Sequence, residues 1–339
     1  MAKRGPTLED VAREAGVSRA TVSRVVNGVR NVDPEIQEVV RLAIERTGYT
    51  PNQAARSLVT RRTGAVALVL SATGDAFAAR VFADPFFGRV VDGALGFLRE
   101  RGVQPVLLVA ESEQARRQAV EYLGQGAADG AMVVSLDVDD PMPGMLVAAG
   151  VPTVLFGSPA AGLRTGYVDL DNEAGAKLAA RHLLARGRRR LATIGAPDSA
   201  PAARQRLDGF RQALAAAGVS DVPVVKGLFT VASGRRAMAR LLREHPALDG
   251  VFAANDLMAQ GACQYLREQG VAVPGDLAVV GFDDSSAATE CRPALTTVRQ
   301  PVEEMAAAMA RLLVEQLHGT TEAGASVVFR PGLVVRESA

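Results

Sequence analysis

Two groups of residues stand where their chemistry could be used. Near the N-terminus, Arg19 and Arg24 flank Ala20 and Ser23 in a short stretch whose valines, Val22, Val25 and Val26, mark one side of a helix. At about 100° per residue, Ala20, Ser23 and Arg24 point away from the valine stripe, with Arg19 at its leading edge. An arginine displayed this way can grip guanine O6 and N7 with two hydrogen bonds, worth roughly 1–3 kcal/mol of discrimination. Ala20 offers only a methyl, for example to thymine. Far downstream, Asn255 follows the apolar run Gly250–Ala253, and Asp283 follows Leu277–Gly281. Ligands of open α/β sheets bind beyond the carboxyl ends of strands, so an amide and a carboxylate stand ready there.

The elements that would position the arginines are three short helices. Thr7 can cap the first, with Asp10 three positions on as a weak capping box. Leu8, Val11, Ala12 and Ala15 then follow at i, i+3, i+4, i+7. Gly16 stops this helix, Val17 turns inward and Ser18 can cap the second, which Asn27-Gly28 ends. Asp33-Pro34 starts a third, with Ile36, Val39, Val40 and Ala43 as its apolar face and Gly48 closing it. This spacing describes either a helix-turn-helix or a generic three-helix bundle.

Charge favours the former. Residues 1–62 hold eleven Lys or Arg against seven Asp or Glu, a balance of +4, whereas the other 277 hold 27 against 30, a balance of −3. A basic head on a slightly acidic body points to a polyanionic partner.

From Gly64 onward, short apolar runs alternate with helical periodicity. Candidate strands are Ala65–Leu70, Pro105–Val109, Ala131–Val134, Thr153–Phe156, Leu191–Ile194, Gly250–Ala253 and Leu277–Gly281. Helical segments between them include Gly88–Arg101, Ala174–Ala185, Arg206–Ala217 and Leu257–Gln269. Such alternation predicts doubly wound parallel sheets, and there are more strands than one sheet of about 150 residues holds. Two α/β subdomains with a cleft between them are therefore expected.

Several motifs together resemble the lac repressor family of bacterial transcription regulators. In the head these are Thr7-Leu8-Glu9-Asp10-Val11-Ala12, Gly16-Val17-Ser18, Ala20 through Asn27, and Tyr49-Thr50-Pro51-Asn52 with Ala55 and Leu58. In the body they are Asp171-Asn172-Glu173-Ala174-Gly175, Arg206-Leu207-Asp208-Gly209-Phe210, Ala254-Asn255-Asp256, Gly281-Phe282-Asp283-Asp284, Leu295-Thr296-Thr297-Val298 and Leu333 through Ser338. The resemblance covers essentially the whole chain.

It implies an all-α helix-turn-helix DNA-binding head over residues 1–50, a hinge helix and linker over 51–62, and an effector-binding and dimerisation body over 63–339. The body would be an α/β periplasmic-binding-protein-like pair of doubly wound subdomains, about 63–161 with 293–325 and 162–292 with 326–339. Arg19, Ala20 and Arg24 match the base-reading positions. Thr7, Ser18, Thr21, Ser23, Asn27, Asn52 and Ala55 match other DNA-contacting positions. Leu58 matches a leucine that wedges into the minor groove, on a segment too short to hold a helix alone, so folding on DNA is expected.

In the body, the resemblance implies that Arg206, Asn255 and Asp283 are polar contacts to an effector, with Phe86, Phe87 and Phe229 stacking on it and Leu170 as a further wall. A carboxylate, an amide and an arginine suit the vicinal hydroxyls of a sugar. By residue type alone, Asp283 could equally cap the next helix, Arg206 could pair at the surface and the phenylalanines could be core. Gly157 stands where many relatives place an acidic sugar contact, and Ala200 where a purine-binding relative has an arginine, which argues against a purine effector.

The resulting expectation is a cytoplasmic repressor that reads a palindromic double-stranded operator as a homodimer and answers to a sugar or sugar derivative. A head of this size contacts few base pairs, so two half-sites must be read together. Dimerisation through the first subdomain and Gly88–Arg101 is implied, without the extra C-terminal helix of tetrameric relatives. No cofactor, metal or membrane partner is expected. There is no apolar run of about 18 residues, no secretory leader, no histidine or cysteine spacing for a metal and no Gly-x-Gly-x-x-Gly, Walker or Gly-x-Ser-x-Gly motif for catalysis. Asp137-Val138-Asp139-Asp140 lacks the loop that calcium needs and reads as a solvated loop. The rival readings are a family regulator answering to a partner protein, a sugar-transport component and an α/β enzyme.

Overall fold

The computed structural model of the 339-residue chain describes residues 5–26, 32–50, 62–72 and 83–339. These fall into two units, one ending at Gly64 and the other starting at Ala65.

The first unit contains α1 (Leu8–Ala15), α2 (Arg19–Val26) and α3 (Pro34–Thr47). Thr7 and Asp10 form a reciprocal capping box: the Asp10 amide donates to the Thr7 hydroxyl at 3.4 Å and the Thr7 amide donates to the Asp10 carboxylate at 2.9 Å. Gly16 and Gly48 end α1 and α3 with φ near +66°, a left-handed turn that glycine makes without a steric penalty. Asp33 caps α3 through the Glu35 amide, and Pro34 opens it. Val11, Val22, Val40 and Ala43 form the small core, with Ile44 and Tyr49 packed against it. The apolar face expected on α3 is displaced. Ile36 and Val39 remain 37% and 46% exposed, because the packed stretch begins only at Val40.

The second unit contains two six-stranded sheets. In chain order its elements begin with β1 (Ala65–Ser71), α4 (Pro85–Arg99), β2 (Gln104–Ala110), α5 (Glu113–Gly124), β3 (Ala131–Ser135), α6 (Met142–Ala148), β4 (Thr153–Phe156) and β5 (Gly166–Leu170). There follow α7 (Asn172–Ala185), β6 (Leu191–Gly195), α8 (Pro201–Ala215), β7 (Val224–Lys226), α9 (Val231–Glu244), β8 (Gly250–Ala253), α10 (Asp256–Glu268) and β9 (Ala278–Asp283). The chain closes with α11 (Ser286–Glu290), β10 (Thr296–Arg299), α12 (Val302–His318), β11 (Ser326–Phe329) and β12 (Gly332–Val334).

The first sheet runs β11-β5-β4-β3-β1-β2 and the second β12-β10-β9-β8-β6-β7. All neighbours are parallel except β10 and β12. β1, between β3 and β2, is buried at every residue, as a parallel strand covered on both faces must be. Its alternate residues enter different cores: Val66, Leu68 and Leu70 one, Ala65, Ala67 and Val69 the other.

The chain passes between sheets after Leu170, after Arg299 and between β11 and β12. The crossings expected near residues 161, 292 and 325 therefore lie further along. Gly166–Leu170 belongs to the first sheet with β11, and Thr296–Arg299 to the second. Tyr, Asp and Thr interrupt the apolar pattern of these strands, which hid them.

Candidate functional site

In the first unit, α2 presents Arg19, Ala20 and Arg24 to solvent. The Ser18 hydroxyl accepts the Thr21 amide at 3.1 Å and shares a hydrogen bond with the Thr21 hydroxyl at 2.8 Å. Ser18 is thus the helix cap, and Thr21 and Ser23 are half-buried. Thr7 is engaged in capping α1. Arg19 faces Glu9 of α1 at 3.5 Å, with both side chains about two-thirds exposed. A pair this exposed is worth about 0–1 kcal/mol, so a nucleic acid can displace it at little cost. Asn27, Asn52, Ala55 and Leu58 lie outside the described residues.

In the second unit, a cavity of about 620 Å³ opens beyond the carboxyl ends of strands from both sheets. Its described lining includes Phe86, Arg206, Phe229, Asn255 and Asp283. Arg206 rises from α8 and is held from four directions. Its Nε donates to Asn172 Oδ1 at 2.8 Å, Nη1 to the Ala254 carbonyl at 2.6 Å and to Asp283 Oδ1 at 3.5 Å, and Nη2 to Gln300 Oε1 at 3.1 Å. The Phe282 ring lies 3.6 Å from its guanidinium carbon. Burial lowers the guanidinium from its ordinary value, while Asp283, Asp169 and Asp256 counter this; an arginine remains a cation throughout. Its plane is therefore fixed before any ligand arrives.

Asp283 ends β9 with φ at 110°. Burial pushes its carboxyl well above the usual carboxylate range, with Arg206 the main opposing charge. Asn255 has two roles: its Oδ1 caps α10 by accepting the Met258 amide at 2.9 Å, and its Nδ2 donates to the Phe229 carbonyl at 3.3 Å. Phe229 adopts φ of 60° and lines the cavity. Phe86 is the second aromatic wall, edge-on to Phe156 at 5.4 Å.

Two expected contacts are not part of the wall. Phe87 and Leu170 are 1% and 3% exposed and lie in the main hydrophobic core. Helical geometry turns Phe87 about 100° from Phe86, into the sheet, and Leu170 alternates inward from Asp169. Asp169, Asn172 and Gln300 line the cavity in their place. Asn172 lies in the Asp171–Gly175 motif, but its bond to Arg206 depends on two helices meeting.

The loop expected to be solvated is also part of the wall. Asp140 is buried: its carboxylate accepts from the Ser135 hydroxyl at 2.7 Å and from the Met142 amide at 3.0 Å. Asp137 and Asp140 both line the cavity, and only Asp139 is exposed. Beside Gly157, Ser158 donates through its amide, at 3.0 Å, and through its hydroxyl to the Asp169 carboxylate. An acidic group thus lies next to the position where glycine was expected to leave none.

The closing motif is structural. Arg336 and Arg299 hold Asp284 at 2.6 and 2.7 Å, and although burial pushes that carboxyl up, the two arginines keep it below its ordinary value. The Ser338 hydroxyl donates to the Val279 carbonyl at 2.6 Å. Among the described residues no helix is long and apolar enough to cross a membrane.

Known proteins share both units. Residues 7–52 match the family described as bacterial regulatory proteins, lacI family, and residues 180–339 match the periplasmic binding protein-like domain. The HTH-type transcriptional regulator CelR of Thermobifida fusca is 46% identical over 99% of each chain. A solved CelR–cellobiose complex is 44% identical, covers 98% of this chain and 100% of its own, and superposes with a TM-score of 0.78. A lac repressor dimer bound to operator and an anti-inducer is 26% identical, covers 99% of each chain and superposes with a TM-score of 0.83. By these likenesses the chain belongs to the lacI family of bacterial regulatory proteins and is a DNA-binding transcription regulator, not an enzyme.

Proposed function

We propose that this regulator is a cytoplasmic repressor that reads a palindromic operator as a homodimer and is controlled by a neutral sugar in the cleft, of the β-linked glucose disaccharide class that CelR holds. The observation that carries the effector class is the charge of the lining: four aspartates (Asp84, Asp137, Asp140, Asp169) besides the buried Asp283 stand against Arg204 and Arg206. Carboxylates accept hydrogen bonds from vicinal hydroxyls, and the surplus of negative charge repels phosphorylated sugars. Arg206, Asn255 and Asp283 orient one ring, while Phe86 and Phe229 offer apolar faces. In the head, Arg19, Ala20 and Arg24 read base edges, and Ser18, Thr21 and Ser23 set the register on phosphates. Effector binding changes the relation of the two sheets and so the free energy of operator binding, by about 1–3 kcal/mol.

The test is operator binding by fluorescence anisotropy at fixed salt, with and without cellobiose. A shift of about 5- to 150-fold in Kd is expected. Operator affinity that ignores neutral sugars but responds to a protein partner would favour the rival regulator instead.

A further inference from the structure

The two walls of the cleft are joined at its rim. The Val138 amide, in the loop after β3, donates to the Ser199 carbonyl, in the loop after β6, at 2.8 Å. The two loops belong to different sheets. Asp139 and Asp198, next to the bonded residues, are exposed, whereas Asp137 and Pro201 line the cavity. The bond therefore lies on the boundary between cavity and solvent.

The first of these loops is pinned from within. Besides the two bonds of the Asp140 carboxylate, Asp137 Oδ1 accepts the Asp139 amide at 3.0 Å. A loop held at both ends keeps its shape when a ligand presses on it. Behind it, about 620 Å³ of cavity would hold about twenty waters at their liquid share of ~30 Å³ each, more than one hexose ring displaces. Arg206, Asn255 and Asp283 form one polar set, and Asp137, Ser158 and Asp169 supply a second on the other sheet.

We propose that the Leu136–Pro141 loop is the chain-length gauge of the effector. One ring sits on Arg206, Asn255 and Asp283, a second meets Asp137 and Ser158, and the Val138–Ser199 bond spans the rim beside it, so that a third ring must press on the rim. This rests on the sugar reading above. A longer chain can enter only by keeping the rim open, which forfeits the bond across it and the contacts that close with it.

The experiment is titration calorimetry on the full chain with glucose, cellobiose, cellotriose and cellotetraose, for the wild type and for V138P, which lacks the donating N–H. For the wild type, cellobiose binds best and cellotriose and cellotetraose bind about fivefold to tenfold more weakly or worse. In V138P the penalty for the third ring shrinks to about twofold or less. If all three oligosaccharides bind the wild type equally well, the gauge is overturned and the sugar reading survives. If none of the four sugars gives heat, the sugar reading fails and the gauge with it. Should V138P not fold, the wild-type series still decides, together with amide exchange at Val138. That amide is protected by cellobiose and left unprotected by cellotriose; equal protection by both overturns the gauge.

Discussion

Arg206 and Asp283 stand 3.5 Å apart on the cleft wall, with only 7% and 13% of their side chains exposed. Neither can be removed quietly. Taking the guanidinium away leaves a buried carboxylate and strands Asn172 and Gln300, which point at Arg206 from a neighbouring helix and the second crossing.

Arg206→Ala is therefore expected to weaken sugar binding by about 10- to 150-fold, the worth of charged hydrogen bonds, and to cost about 3–5 kcal/mol of stability. Arg206→Lys keeps the charge and loses the planar fork, so it should fold better yet bind almost as poorly. Calorimetry and thermal melts on both variants check this; full sugar affinity in the Lys variant would show that charge alone suffices.

Asp256 gives a pH signature. It is fully buried behind the cleft, where Ser285 donates through its amide at 2.7 Å and its hydroxyl at 3.0 Å, and the Thr297 hydroxyl donates at 2.5 Å. Burial pushes its carboxyl up to about 7, against the pull of those donors. A folded-state value above the unfolded one, about 3.9, means that the folded protein holds the proton more tightly. The resulting stability is full below about pH 4 and is lost as pH rises toward 7. Relative to Asp256→Asn, the wild type should lose up to about 1.4 kcal/mol per pH unit across that window. Urea melts of both proteins at pH 5, 6 and 7 measure the difference; a constant difference would mean that the carboxyl is ionised throughout.

Gly209 lets α8 approach α7. A Cβ there would lie 2.4 Å from the Glu173 carbonyl oxygen, a backbone atom that cannot step aside. Gly209→Ala should destabilise the body by about 1–3 kcal/mol, lower its Tm and loosen Arg206 one turn earlier on the same helix. A melt unchanged from wild type would refute the close approach.

These residues also show how far the sequence could be read. Apolar runs such as Ala65–Leu70 and Ala131–Val134 announce their strands, because a parallel strand buried on both faces is seldom interrupted by polar residues. Gly166–Leu170 and Thr296–Arg299 carry tyrosine, aspartate and threonine and do not read as strands, and the crossings that the resemblance implies fall a few residues ahead of those in the structure. Arg206, Asn255 and Asp283 were reached through the resemblance to a known family. Phe87 was not separable from Phe86, since the face a helix turns inward depends on the sheet beneath it. Asp137 and Asp140 looked solvated because their burial depends on Ser135, Met142 and the opposite wall.

In the head, Arg24 is expected to carry base discrimination. Arg24→Ala should cost about 1–3 kcal/mol against the cognate operator and relax preference at one base pair per half-site, with sugar affinity unchanged. Anisotropy titrations against operator and scrambled duplexes at one salt concentration separate the roles. Equal weakening on both duplexes would make Arg24 a phosphate contact.

Arg89 is placed to transmit the cleft's state. From α4 it grips Glu303 of α12 through two nitrogens at 2.6 and 2.8 Å, and its remaining bonds reach the carbonyls of Asp283 and Gln300, both at 3.0 Å. Asp283 ends a strand of the second sheet, and its side chain faces the cleft, while α4 and α12 pack together against the first. A ligand that moves Asp283 must therefore move or break these bonds. Arg89→Ala should leave sugar affinity within about threefold of wild type while reducing the sugar-induced change in operator Kd from about 5–150-fold toward unity. Both quantities are measured on one preparation, by calorimetry and anisotropy. An undiminished operator response in that variant would show that the coupling bypasses this arginine and runs through the packed helices α4 and α12 alone.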